Sequence, residues 1–572
     1  MNSPTQATPW ADIRRFDEIP VVPFSELLDS TRGLSDHCGG PIYPDWQLQQ
    51  RSRHCRRDGQ PIDVAPKAPE KPMPRLEGDW TWIGPVCHHF GHQLADFSMR
   101  ILPSLLAGTG QAWLAGVRDG TPGDMASAPA FFRDILNWFG VDTARVRLVN
   151  LPVRAERLWV APQSETIFGP PPADEWLTLL ERHYRTRLAG SAPAAQARVV
   201  YVTRSAVVRG TIAGESALDE FLRNQGVLVV RPEEHSLAKL LPLYEAAEHV
   251  VLSEGSAMHA LQFMGRQLRH VTIIGRGQSH RYGANFLAAR CQSLQHVEVG
   301  TRGLSGRANG RFRETGLALL DGQELAGKLS DRLGLKSSFW DEAAWRQAQA
   351  ESVWRWVRDY LHARPHKTPL SPAIIASELD AAELRPEPGL LALLQARERQ
   401  DETEHAQAVG AFAKAFAARP EPTTAALVLE EAADASAKRS QGHAVGVPDL
   451  ELAAVMRAVD EGRFDGSARV WLARCRLAAP ADAVPLARRL TAWLTQKPLA
   501  REQDDPRTWT LLSAEWQRLG NLPLALLLMQ RADASGPLLE WMLKHWGQVA
   551  RAAGEPALAL ACHDRLLRQN PP

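Results

Sequence analysis

Residues 78–103 read GDWTWIGPVCHHFGHQLADFSMRILP, and this stretch decides the fold class. A short aromatic, β-prone run at 80–83 is broken by Gly84-Pro85. Three histidines then lead into a segment in which Leu94, Phe97, Met99, Ile101 and Leu102 recur at helical spacing among Gln93, Asp96 and Arg100. A strand feeding a helix through a turn places that turn at the carboxyl end of the strand, where α/β proteins bind ligands. On the expected helix His88, His92 and Asp96 stand at i, i+4 and i+8 and share a face, drifting about 40° per step. A histidine one turn from a carboxylate can handle protons, because the carboxylate fixes the ring tautomer and raises its basicity. His89 is offset by about 100° per residue and is expected to turn into packing.

Outward from this stretch the alternation continues. Residues 1–75 read as an extension with short elements, ending in a linker, VAPKAPEKPMPR at 64–75, with four prolines. Residues 76–196 carry strands at 112–117, 146–150 and 157–161 and helices at 129–139 and 173–188, which predicts a mostly parallel sheet. Residues 197–320 form a cleaner unit. Strands at 197–204, 227–230, 249–252 and 271–274 alternate with helices at 215–224, 236–247, 255–264 and 283–291, and Ser236 is a candidate N-cap. Two Rossmann-like domains with a cleft between them are expected. Residues 321–572 are rich in Ala, Leu and Trp and predict helices only. There GNLPLA at 520–525 recurs as GEPALA at 554–559, a shift of 34 residues that resembles tetratricopeptide helix pairs, with 462–468 a degraded third copy. A plain helical bundle is the alternative.

Composition removes several function classes. With 66 basic and 65 acidic residues the net charge is +1, which gives no electrostatic case for nucleic acid. Six scattered cysteines, none in a C-x-x-C pair, fit reduced thiols and no zinc ribbon. No apolar leader and no apolar run of spanning length is seen, so a cytoplasmic protein, peripheral at most to the inner membrane face, is expected.

Three constellations can carry chemistry. One is His88, His89, His92 and Asp96. A second is Arg204 and Arg209, just after a strand, and the third is the turn Ser253, Glu254, Gly255 and Ser256 that opens a helix. Small-residue turns at helix starts offer N–H groups to anions, and arginines fork onto phosphate oxygens, so the last two together suggest a diphosphate pocket.

The ordered blocks GPVCHHFGHQLAD (84–96), VVYVTRSAVVRGTIAGESALDEF (199–221) and AEHVVLSEGSAMHALQFM (247–264) resemble the glycosyltransferase 61 family over roughly residues 76–299. The resemblance implies a GT-B arrangement and a nucleotide-sugar donor, UDP-linked. It also implies inverting transfer without a metal or other cofactor to a glycan or protein hydroxyl, in surface polysaccharide synthesis. His92 and Asp96 fall on the family's His-x-x-x-acid positions and become the catalytic pair. Tyr201, Arg204, Arg209 and Glu215 fall on its Tyr/Arg/Arg/Glu block, and Gly255 on the first glycine of its turn. Arg204, Arg209, Ser253, Glu254, Gly255 and Ser256 are thus expected to bind the donor. This sequence departs from the family where Glu254 replaces His, where Ser256-Ala257 and Met258-His259 replace Ala-Gly and Leu-Thr, and where the strand at 271–276 lacks an acid. The rival readings are a metal hydrolase using His88, His92 and Asp96 as ligands, a weaker Ser256/His259 hydrolase, and a non-catalytic scaffold that binds a protein partner through its helical region.

Overall fold

The aromatic run belongs to strand Arg75–Pro85, which lies next to the middle strand of the first sheet and is longer than the 80–83 core of the run. The structure, a computed structural model, describes residues 12–26, 37–56, 60–109, 111–167, 169–189, 197–207, 210–277, 282–306, 316–362, 371–382, 480–496, 506–535 and 540–569, with a few isolated positions between. Arg75–Pro85 runs parallel to Val153–Val160 on one side and Trp113–Gly116 on the other, and Val146–Val149 closes that edge. A bulge at Trp82/Gly84 shifts the register against Trp113–Gly116. Gly84, at φ +128°, lies where a Cβ would meet the Phe97 carbonyl at 3.1 Å, so the glycine lets the following helical turn close onto the strand.

Every pairing among these four strands is parallel, as the alternation predicted, and antiparallel pairing enters only with the segment that precedes them. Arg14–Glu26 enters antiparallel to Val153–Val160 and brings His37–Pro41 and Asp63–Val64 with it, giving seven strands. Phe16, Ile19, Val21 and Phe24 of that strand are buried with Trp82, Leu114 and Leu158, which explains why a segment without periodic helices still belongs to the sheet.

The second sheet has five parallel strands in the order Leu228–Val230, Val199–Val202, His249–Ser253, Leu268–Ile274, Cys291–Val297. In chain order this is 2-1-3-4-5, so the strand order reverses between Val199–Val202 and His249–Ser253, and a crevice opens beyond their carboxyl ends. Helix Leu237–Ala246 begins where expected, but the side chain of Ser236 makes no capping bond. Asp134 of helix Ala130–Phe139 accepts from the Leu237 N–H at 2.7 Å instead. The segment after His249–Ser253 is a 3-10 helix, Ser256–Phe263, rather than an α-helix. A small sheet of Thr211–Ile212, Leu317–Leu320 and Thr301–Leu304 had no clear signal in the sequence.

One apolar cluster runs from Ile83, Leu94, Trp113 and Leu136 through Trp176 and Leu180 to Val200, Leu252, Phe263 and Ile273. The two sheets therefore share a core, and Met1–Trp356 is one compact unit. That unit takes in helix Gly322–Leu333 and the first part of Glu342–His362, where Trp345 packs on Gly214 and Gly322. Among the described residues no strand follows Leu317–Leu320, while the compact unit reaches Trp356.

The second unit, Val357–Pro572, holds only helices among its described residues. Pro506–Arg518 with Leu522–Ser535, and Glu540–Ala552 with Pro556–Gln569, are two helical hairpins offset by the same 34 residues read in the sequence. Gly520 and Gly554 sit at φ +80° and +77° at the corresponding turns. The third copy at 462–468 lies outside the described residues. No helix among the described residues is long and apolar enough to cross a membrane.

Candidate active site

Strand Arg75–Pro85 delivers the chain into Phe90–His92, which widens at once into a π-helical turn, Gln93–Phe97. Such turns cluster at functional sites. Gln93 braces this one: its Oε1 accepts from the Cys87 N–H at 2.7 Å and its Nε2 donates to Ser98 Oγ at 3.2 Å. The wider turn keeps His92 Nδ1 3.6 Å from Asp96 Oδ2. Asp96 is fully enclosed, at 0 % exposure, whereas the side chain of His92 is 13 % exposed. Asp96 thus stands behind the ring, not at the surface of the site.

The carboxylate of Asp96 is fully occupied. Oδ1 accepts from the Ile167 N–H at 2.7 Å, and Oδ2 faces Arg56, whose Nε and Nη2 both lie at 3.1 Å. Burial pushes this carboxyl up, but the His92 ring, the Arg56 charge and the Ile167 amide outweigh it and hold it below its usual range. Arg56 Nη2 also lies against the His92 ring, 2.5 Å from Nδ1 and 3.4 Å from Nε2. The sequence reading missed Arg56. Its only signal was a cluster of arginines around His54 and Cys55, with nothing to single one out. His89 is the N-cap, its Nδ1 accepting from the His92 N–H at 3.4 Å, and its ring lies 4.5 Å from that of His92. Burial, helped by the neighbouring His92, His259, Arg204 and Arg56, brings its pKa down to about 4. It therefore stays beside the pair, while His88 is exposed.

The second sheet brings its own groups to the same place. Arg204 follows Val199–Val202, on one side of the reversal in strand order, and the turn from Ser253 to Ser256 follows His249–Ser253 on the other. The Arg204 guanidinium lies flat on Gly255, where a Cβ would stand 2.6 Å from Nη1. It donates to Ser256 Oγ at 3.3 Å and to the Gly210 carbonyl at 3.1 Å. Its buried Nε has no hydrogen-bond partner among the described residues. Burial lowers the Arg204 pKa, partly offset by Glu215. Glu215 is saturated by the Tyr201 hydroxyl, Ser253, Thr211 and the Arg204 N–H. Ser253 is thereby committed to the framework under Arg204. Glu254 is buried, and its Oε2 accepts from the Arg276 N–H at 3.0 Å. Burial, with the nearby Arg204 charge, brings the Arg276 guanidinium down to about 10. Arg209 lies outside the described residues.

The two halves meet at Gly91, where a Cβ would stand 2.9 Å from Ser256 Cβ and 3.1 Å from His259 Cδ2. His259 is satisfied by Gln262 at 2.7 Å and Tyr282 at 2.9 Å and stacks on Phe286, so it is not a free nucleophile partner for Ser256. Among the described residues no group of three or more His, Cys, Asp or Glu is arranged to hold a metal ion. The guanidinium of Arg56 on Asp96 would repel one.

A parallel sheet with a buried arginine at its switch point, beside a His–Asp pair carried by a neighbouring sheet, marks an α/β protein with charged groups gathered at its strand ends. The family model described as Glycosyltransferase 61 matches residues 90–271, so the likeness read from the motifs is shown over that stretch. The matched residues include His92, Asp96, Arg204 and the 253–256 turn but not Arg56 or Arg276. No curated protein matches the chain.

Proposed function

We propose that the protein is an inverting, metal-independent glycosyltransferase that moves a sugar from a nucleotide-sugar donor, UDP-linked, to a hydroxyl of a glycan or protein acceptor in surface polysaccharide synthesis, with the two sheets in the roles of the GT-B halves. One observation carries the reading. Gly91, the neighbour of His92, packs against Ser256, to which Arg204 donates, and this supports a proton acceptor working beside an anion-binding group.

In this mechanism His92 Nε2 takes the proton of the acceptor hydroxyl as its oxygen bonds to the anomeric carbon. The bond from that carbon to the diphosphate breaks on the opposite face, its electron pair leaves with the diphosphate, and the configuration inverts. Arg204 and the N–H groups opening Ser256–Phe263 hold the departing charge. Asp96 accepts from Nδ1–H and stabilises the imidazolium, and is therefore a positioning residue.

A thermal-shift screen of the full chain against nucleoside diphosphates and nucleotide sugars tests the reading. A ligand at 100 times its Kd adds about 2.7 kcal/mol of stability by mass action. At least one nucleotide should stabilise the wild type and leave Arg204→Ala unmoved. Stabilisation that persists in Arg204→Ala would place the nucleotide elsewhere. EDTA should leave both binding and transfer intact, and loss of activity with rescue by zinc would favour the hydrolase.

A further inference from the structure

A chain of hydrogen bonds runs from the core to the seam at Gly91, and each proton in it has one possible place. It starts at Glu165, whose carboxylate pairs with the fully buried Arg290 and accepts from Trp176 Nε1 at 2.7 Å. A carboxylate only accepts, so the group of Gln262 that stands 3.0 Å from Glu165 Oε2 is its amide NH2. The Gln262 carbonyl oxygen therefore faces His259 Nδ1, at 2.7 Å, and needs a proton there. Burial holds His259 down at about 4, so its ring is neutral and carries its single proton on Nδ1. Nε2 keeps its lone pair, and the Tyr282 hydroxyl, 2.9 Å away, donates to it. With its own proton spent inward, the phenol oxygen can enter any further hydrogen bond only as an acceptor.

Tyr282 stands among the groups of both sheets. Its partner His259 packs against Gly91, the neighbour of His92. The charges of Glu254, Arg276, Asp96 and Arg204 all reach its hydroxyl, and the residue is partly exposed. Its backbone is held on both sides. The Tyr282 carbonyl accepts from His296 Nε2 at 3.2 Å, and Gly283, at φ +90°, is tucked where a Cβ would meet Met258 Cε at 2.5 Å. With a diphosphate at Arg204 and the acceptor hydroxyl at His92, the sugar under transfer has to lie between the two. A hydroxyl reached by the charges of both Arg204 and Asp96 is at the level of that sugar.

We propose that Tyr282, a residue outside the family-matched stretch, is a specificity-determining residue whose oxygen accepts a hydrogen bond from a hydroxyl of the donor's sugar, with Glu165, Gln262 and His259 as the positioning residues that keep it acceptor-only. This rests on the proposed function in taking a nucleotide sugar as the ligand. It sets a rule for that ligand. The sugar must offer an O–H at this point, and a fluorine, which cannot donate, fails there.

The test is calorimetric binding of UDP, UDP-glucose, UDP-galactose, UDP-N-acetylglucosamine and UDP-xylose to the full chain, with the tightest sugar carried forward. Tyr282→Phe should keep its UDP affinity and weaken the nucleotide sugar about tenfold. In the wild type, fluorine in place of one sugar hydroxyl should cost a similar factor, and that analogue should bind Tyr282→Phe no worse than the parent sugar does. Equal losses for UDP and the nucleotide sugar in Tyr282→Phe would put the bond on the nucleoside, and indifference to every fluorine substitution would remove the donor requirement; either overturns the proposal. The proton chain is read without ligand and without the Tyr282 variant. In 15N-histidine two-bond spectra, with His259 assigned through His259→Phe, the wild-type ring should show Nδ1–H, and Nε2–H would reverse the chain and overturn the proposal. A wild type that binds neither UDP nor any of the sugars would sink the proposed function and the sugar contact with it, whereas binding without discrimination by Tyr282→Phe would sink the role of Tyr282 alone.

Discussion

Asp96 illustrates how a short motif can be read correctly in position and still leave its role open. Spacing placed it one turn from His92, but nothing in the sequence shows that Ile167 and Arg56, 71 and 40 residues away, occupy its oxygens. We expect Asp96→Asn to lower turnover by about 10²–10⁴ with donor affinity little changed, read from kcat and KM at saturating donor. Wild-type turnover in that variant would show that His92 needs no carboxylate behind its ring. Gly255 shows the same limit from the other side. The sequence marks it as a turn glycine, and the structure gives the reason: the guanidinium of Arg204 rests where a Cβ would be. Gly255→Ala should cost about 1–3 kcal/mol by overpacking and should weaken nucleotide binding along with stability, measured by denaturant melts and titration calorimetry. At this scale the buried histidines also set a pH dependence. Burial lowers His259 to about 4 and His37 to about 3. Below about pH 6.5 the unfolded chain takes up protons that the folded chain refuses, so stability falls as pH drops from about 6.5 towards 4. The effect per group is of order 2–3 kcal/mol. His259→Phe should flatten the fall in melting temperature over that window, and an unchanged slope would place the uptake on other groups.

Among the elements, strands with buried aromatic or β-branched runs were the most legible, because a run such as VVYV at Val199–Val202 is buried at every position. The π-helical turn was not legible. Its apolar residues keep a helical pattern, and its widening depends on Gln93 reaching back to the Cys87 N–H and forward to Ser98. Gln93→Ala should therefore cost about 1–3 kcal/mol and loosen the His92–Asp96 pair. A stability loss without any change in the His92 ring signals would show that the turn holds its shape without this brace. The strand Arg14–Glu26 escaped notice for a different reason. Its apolar residues are interrupted by Pro20 and Pro23, and its place is set by pairing with Val153–Val160, far along the chain.

For the molecule as a whole, the alternation of strands and helices predicted two α/β halves, and two large sheets are present among the described residues. What alternation cannot show is whether their cores are separate. Here Leu94 and Leu136 belong to the same buried cluster as Leu252 and Ile273. A fragment of residues 1–362, which keeps helix Glu342–His362 whole, should then melt in a single calorimetric transition, its calorimetric and van't Hoff enthalpies agreeing. Two resolved transitions would mean that the halves are energetically independent. The long reach of Arg14–Glu26 has a consequence during synthesis. This strand leaves the ribosome well before its partner Val153–Val160, which follows roughly 130 residues later. At about 5–20 residues per second the nascent chain carries an unpaired, partly apolar strand for roughly ten seconds. In that interval the segment is a target for holding chaperones. A fusion partner that delays its exposure would be expected to raise the soluble yield.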